Sequence, residues 1–247
     1  MTAASAALRV GGVQPFTSID YPGALSAVVF VQGCPWRCLY CHNPQLQPRR
    51  LPQPAAAPDW PELLDWLDHR RGLLDAVVFS GGEPTADAAL PQAVDQVRAL
   101  GFRVGLHTAG MLPHRLRALL PRLDWVGLDI KAPLADGALH ARISGVRGSG
   151  RNGASAVRES LAALCASGVA FECRTTAHPA LLDGAALEAI AHELAAFGVE
   201  RYALQVSRPA GAWAHAAAPG ADYPPAATLH LLRSVLPHFE LRRGTTG

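Results

Sequence analysis

Short β-rich runs alternate with longer amphipathic helical patterns along this chain, and that alternation restricts it to few folds. The runs lie at 25–31, 76–80, 102–107, 125–131, 169–176 and 201–207, with helical stripes at about 60–71, 86–100, 113–121, 154–167 and 185–197. Such alternation implies right-handed βαβ units around a parallel sheet. Six units predict an α/β chain, a partial (β/α)6 TIM-like barrel open on one side, where a large substrate can enter. Residues 226–242 can add a helix and a short strand. The segments 43–58 and 209–225, rich in Pro, Ala and Gly, read as loops rather than domain linkers. A chain of 247 residues is therefore expected to be a single domain, its core at about 14–208 and a C-terminal extension at about 209–247.

Side chains alternate faces along a strand, so each run divides into two sets. In 125–131 one face carries Val126, Leu128 and Ile130, the other Gly127, Asp129 and Lys131. In 169–176 the polar face is Glu172, Arg174 and Thr176; in 201–207 it is Gln205 and Ser207. Ser80 to Glu83 end the second run, and His107 with Thr108 the third. Polar groups thus gather at the C-terminal ends of parallel strands, where barrel active sites are built.

The run Gly33-Cys34-Pro35-Trp36-Arg37-Cys38-Leu39-Tyr40-Cys41-His42-Asn43-Pro44 follows the first strand directly. Three thiolates at CxxxCxxC spacing can occupy three corners of a cuboidal iron–sulfur cluster and leave the fourth iron open for chemistry. A zinc site is the competing reading, with His42 as the nearest fourth ligand, although Cys41 and His42 are adjacent and paired zinc ligands are normally spaced. Cys165, in a helical pattern, and Cys173, on an apolar strand face, read as small buried hydrophobes.

Composition narrows the function classes. A formal charge of +2 with scattered basic residues offers no footprint for nucleic acid, and no apolar stretch reaches the roughly 18 residues of a membrane span. With no signal peptide pattern and an odd number of cysteines, five, the chain is expected to be cytoplasmic, with thiols rather than disulfides. Of 22 basic residues, 21 are arginines and one is Lys131, which makes that position a candidate for a site that needs a compact ammonium, chance survival of one lysine being the alternative.

The cysteine loop, together with Phe16-Thr17-Ser18-Ile19-Asp20-Tyr21-Pro22-Gly23, Ser80-Gly81-Gly82-Glu83-Pro84, Leu128-Asp129-Ile130-Lys131-Ala132-Pro133, Arg174-Thr175-Thr176 and Tyr202-Ala203-Leu204-Gln205, resembles the radical S-adenosylmethionine (SAM) enzymes. Within them the likeness is to activating enzymes of glycyl radical proteins, nearest those of anaerobic ribonucleoside-triphosphate reductase. The resemblance implies a [4Fe-4S] cluster on Cys34, Cys38 and Cys41. It implies SAM bound at the open iron and cleaved reductively, and a 5′-deoxyadenosyl radical that takes hydrogen from a glycine of the partner enzyme. Flavodoxin or ferredoxin is the electron donor it implies.

By the same resemblance, Gly81 and Gly82 admit the methionine moiety and Glu83 accepts from its ammonium. Thr108 joins the cofactor-binding set, Lys131 and Asp129 serve the carboxylate or ribose region, and Tyr40, Cys41 and His42 lie against adenine. Arg174 and Gln205 are candidates for holding ribose or carboxylate, the alternative for either being a place in a polar network of the barrel. One departure stands out: activators usually carry Asp-Thr-Asn-Gly after the third strand, and this chain has His107-Thr108-Ala109-Gly110, which puts monovalent-cation dependence in doubt. The arginine that often follows Asp-Tyr-Pro-Gly is also replaced, by Ala24 and Leu25. Two alternatives stay open: a radical SAM enzyme acting on a small molecule, such as a heterocycle synthase of the 7-carboxy-7-deazaguanine kind, and a non-catalytic iron–sulfur or zinc protein.

Overall fold

The computed structural model describes residues 7–49, 57–146, 153–208, 213 and 215–243. Its strands are β1 (Val10–Thr17), β2 (Ser26–Val31), β3 (Ala76–Gly81), β4 (Arg103–Thr108), β5 (Trp125–Asp129), β6 (Ala170–Ala177), β7 (Arg201–Val206) and β8 (His238–Arg243). Its helices are α1 (Trp60–Asp68), α2 (Leu90–Ala99), α3 (Pro113–Leu119), α4 (Gly137–Ser144), α5 (Gly153–Cys165), α6 (Gly184–Ala196) and α7 (Ala226–Val235). The strands form one sheet in sequence order, β1 to β8. Strand β1 runs antiparallel to β2, while β2 with β3, β3 with β4, β6 with β7 and β7 with β8 run parallel. A doubly wound sheet reverses its strand order at a switch point, whereas an unreversed order is that of a singly wound, partial TIM-barrel fold.

Eight strands stand where the sequence pattern showed six. The optional helix and strand at 226–242 are α7 and β8. Strand β1 left no pattern, because its sequence, VGGVQPFT, carries two glycines and a proline and exposes its middle residues. An edge strand tolerates such composition, and β1 forms by pairing with β2. The short helix α4 also escaped the pattern; Asp136 starts it by accepting from Leu139 N–H at 2.8 Å. Loop 43–58 contains a 3-10 turn at Pro44–Leu46, and its residues 50–56 lie outside the described residues, as do 209–212 and 214 of loop 209–225.

By contact density the chain resolves into two compact units. The first comprises Met1–Pro35, Gln45–Thr108 and Ala118–Val126. Its strands β2 and β3 are near-continuous Ala/Val/Phe runs buried on both faces, as expected for parallel strands. Tyr21, Ala24, Val28, Ala76, Val78 and Trp125 form one buried cluster in it. Helix α1 begins with a capping box in which Asp59 accepts from Glu62 N–H at 2.9 Å and Glu62 accepts from Asp59 N–H at 3.1 Å.

The second unit comprises Trp36–Pro44, Ala109–Arg117 and Gly127–Gly247. Leu161, Leu187, Ile190, Tyr202 and Leu232 are fully buried in it. Here β8 is tied to β6 by a bidentate pair, Arg242 Nη1 and Nη2 each 2.8 Å from a Glu172 oxygen. Cys173 is buried as expected, but Cys165 is exposed. It is the last residue of α5, off the stripe of Val157, Leu161 and Leu164, so helical periodicity misplaced it.

Candidate active site

In the first unit, β2 delivers the entrance of the cysteine loop. Gly33 N–H donates to the Leu46 carbonyl at 2.7 Å and Cys34 N–H to that of Gln47 at 2.9 Å. Gln32, nearly buried, adds side-chain bonds to the carbonyls of Gln45 (3.0 Å) and Pro48 (2.6 Å). The end of β3 packs directly on this entrance. Gly82 N–H donates to Val31 O and Glu83 N–H to Gly33 O, both at 2.9 Å. A Cβ on Gly81, whose φ is +114°, would stand 2.4 Å from Val31 N, and one on Gly82 would stand 2.3 Å from Gly33 O. The missing side chains at both positions are therefore required by the chain's own backbone.

Glu83 is almost completely buried. Its Oε1 accepts from Thr85 N–H (3.1 Å), Thr85 Oγ1 (2.5 Å) and Thr108 Oγ1 (2.7 Å), so it caps the 3-10 turn Pro84–Ala86. Thr108 thus reaches Glu83, and the buried Thr85 belongs to the same network, although a lone threonine gives no sequence signal. His107, at the position of departure, turns to the segment before β2. Its Nε2 is 2.9 Å from the Asp20 carbonyl, which can only accept, so Nε2 carries a proton. Its ring meets Trp125 edge-on at 5.4 Å.

The second unit holds the remainder of the loop. Cys41 N–H donates to Cys38 O at 3.2 Å, and Tyr40 is buried. Lys131, just beyond β5, is buried; its Nζ donates to Asp129 Oδ2 at 3.1 Å and lies 5.6 Å from the Tyr40 ring centroid. Arg174 Nε, from β6, is 4.0 Å from Asp129 Oδ1, so one carboxylate is flanked by two cations. Ile130 N–H donates to the Arg174 carbonyl at 2.7 Å, and Thr175 Oγ1 to the Ile130 carbonyl at 2.7 Å, which fixes this strand end. Gln205, half-buried, pairs in register with Thr176.

Burial opposes charge on Lys131, but Tyr40, Asp129 and Cys38 outweigh it and hold the ammonium's pKa well above its ordinary value. Burial pushes the Cys38 thiol and the Tyr40 phenol up, with Lys131 opposing both. Burial and then Arg208 lower His42, which favours a neutral imidazole. Among the described residues no group of three His, Cys, Asp or Glu side chains is gathered as for one metal ion. A cuboidal cluster takes each thiolate at a different iron, so its ligands need not converge on one centre. Cys34, Cys38 and Cys41 are half-buried, outside any disulfide and on one short loop, and this donor set fits such a cluster. A cavity of about 710 Å³ elsewhere in the second unit, lined by Asp136, Arg142, Leu181 and Glu193 among others, includes none of the expected site residues.

The model of the radical SAM superfamily matches residues 28–184. A Methanocaldococcus jannaschii protein provisionally named a glycyl-radical enzyme activating enzyme is 28% identical over 220 residues, 83% of this chain and 82% of that one. The pyruvate formate-lyase-activating enzyme of Clostridium pasteurianum is 32% identical over 134 residues, and the 7-carboxy-7-deazaguanine synthase of Methanopyrus kandleri 31% over 130. Those two matches cover 52% and 46% of this chain, and about half of each relative's length, 55% and 52%. Among solved structures, QueE from Escherichia coli superposes with a TM-score of 0.57 at 15% identity, covering 96% of this chain and 94% of that one, a likeness of fold.

Proposed function

The chain belongs to the radical SAM superfamily, whose cofactors are a [4Fe-4S] cluster and SAM, and from that premise we propose that it activates a glycyl radical enzyme. When bound, the cluster would pass one electron from the external donor to SAM, whose sulfonium would part into methionine and a 5′-deoxyadenosyl radical, and a hydrogen atom from the partner's glycine Cα would convert that radical to 5′-deoxyadenosine and leave a glycyl radical. Cys34, Cys38 and Cys41 hold the cluster. The Lys131 ammonium binds the carboxylate of the methionine moiety, and Asp129, between Lys131 and Arg174, orients that ammonium. Glu83, fixed by Thr85 and Thr108, sets the turn of Gly81 and Gly82 and adds negative charge that favours the cofactor's amino group. Tyr40, Cys41 and His42 line the adenine, and Gln205 serves with Arg174 at the ribose.

The partner we infer is anaerobic ribonucleoside-triphosphate reductase, with a flavodoxin or ferredoxin as donor. The observation that carries the activase reading is the extent of the likeness to the M. jannaschii protein, which takes in most of both chains. A small-molecule reaction is the second reading, favoured by the match to 7-carboxy-7-deazaguanine synthase. The test is anaerobic reconstitution with iron and sulfide, reduction, and quantitation of 5′-deoxyadenosine beside a Cys38→Ala control, then repetition with the reductase deuterated at glycine Cα. Product that vanishes in the control, carries deuterium from the labelled reductase and accompanies a glycyl electron paramagnetic resonance (EPR) signal, a doublet with unlabelled reductase that collapses on deuteration, supports the activase. Cofactor cleavage with neither deuterium nor doublet moves the assignment to the small-molecule reading.

A further inference from the structure

Backbone hydrogen bonds hold the cysteine loop on both sides of Cys38, and the element that holds it is α4. Arg37 N–H donates to the Ser144 carbonyl at 2.9 Å and Leu39 N–H to that of Ile143 at 3.0 Å. The last carbonyls of a helix need partners from outside the helix, and here the loop supplies them. Helix α4 ends on Gly145 in the left-handed conformation, φ 66°, where a Cβ would stand 2.3 Å from the Arg37 carbonyl oxygen. One turn earlier, the fully buried His140 ring meets Trp36 of the loop edge-on at 5.1 Å. Among the described residues neither ring nitrogen of His140 has a hydrogen-bond partner, so the ring acts by shape. Gly153 closes its other side, since a Cβ there would lie 2.7 Å from His140 Cε1.

We propose that Gly145 and His140 are positioning residues for Cys38, and that the last turn of α4 is a template that orders the loop before a cluster enters; the cluster part rests on the function proposed above. Ordering a residue costs conformational entropy, so a preformed loop moves that cost from metal binding to folding. Cys34 is the internal reference, because its N–H is held by Gln47 and not by α4.

The test is pulsed iodoacetamide labelling of the apo chain, read for each cysteine by mass spectrometry. Gly145→Ala should raise the Cys38 rate about tenfold, the scale of strain relieved by opening an overpacked contact, and leave Cys34 unchanged. Gly168→Ala is the control: φ there is 73°, yet nothing lies within 4 Å, so the backbone strain is shared without the clash. It should change neither rate. His140→Ala should free Trp36 and speed Cys38, and His140→Phe should restore the slow rate, an arm that holds even where Gly145→Ala does not fold. After reconstitution, Gly145→Ala should alter the EPR g-values of the reduced cluster while Gly168→Ala matches the wild type. An unchanged Cys38 rate in both Gly145→Ala and His140→Ala, or Cys34 and Cys38 rising together, overturns the proposal. Failure of the wild type to take up a cluster instead sinks the proposed function, and the labelling still decides the template.

Discussion

Lys131 carries the most specific residue-level expectation. An ammonium held between Asp129 and the Tyr40 ring in a buried setting is a compact point donor whose geometry the wider, planar guanidinium fork does not reproduce. Lys131→Arg and Lys131→Met should both lower kcat/KM for SAM cleavage about 10- to 100-fold, the scale of one hydrogen bond to a charged group, measured as 5′-deoxyadenosine formation against SAM concentration. Normal kinetics in Lys131→Arg would remove Lys131 from the cofactor site. Gly82→Ala acts differently: its Cβ meets the Gly33 carbonyl, so it should cost about 1–3 kcal/mol in urea unfolding of the apo chain. Asp129 and Lys131 were legible because strand alternation puts them on one face. Thr85 was not, and the contact between the two glycines and the loop entrance depends on strand register, which no motif encodes.

At the scale of elements, helices with a capping residue and a clear stripe were readable, and elements made by their neighbours were not. Helix α6 shows the first kind: Asp183 accepts from Ala186 N–H at 2.8 Å, and Leu187, Ile190 and Leu194 form its buried stripe. Asp183→Ala should therefore destabilise the chain by about 1 kcal/mol, read as a lower urea midpoint with unchanged slope. An unaltered midpoint would show that tertiary packing alone holds the helix start. Strand β1 and helix α4 are the second kind. One is an edge strand whose glycines and proline hide its period, and the other is a short helix whose C-terminal carbonyls are satisfied by a loop about a hundred positions earlier in the chain. The six central strands were visible because Val, Leu, Phe and Ala concentrate in most of them, and the sequential βα alternation pointed to their order in the sheet.

For the whole molecule, acid sensitivity follows from His140. Burial, and then Lys131, lower its pKa to about 4, against about 6.5 for an unperturbed histidine. The unfolded chain thus takes up the proton first. Its contribution is complete above pH 6.5 and is lost as pH falls through 4, a change of up to ~3 kcal/mol. The apo Tm should drop across that window, and His140→Phe should flatten the drop; an equal slope in both would assign the acid loss to other groups.

The single lysine also makes this chain a substrate with one scissile bond for a lysine-specific endoprotease, the peptide between Lys131 and Ala132. Both residues are buried, and Ile130 before them is tied to β6. The protease can act only when that strand end opens, so the yield of two fragments over time measures opening at the site itself. Cofactor that binds the closed form should slow the cut in proportion to its occupancy, which gives a binding assay without turnover or label.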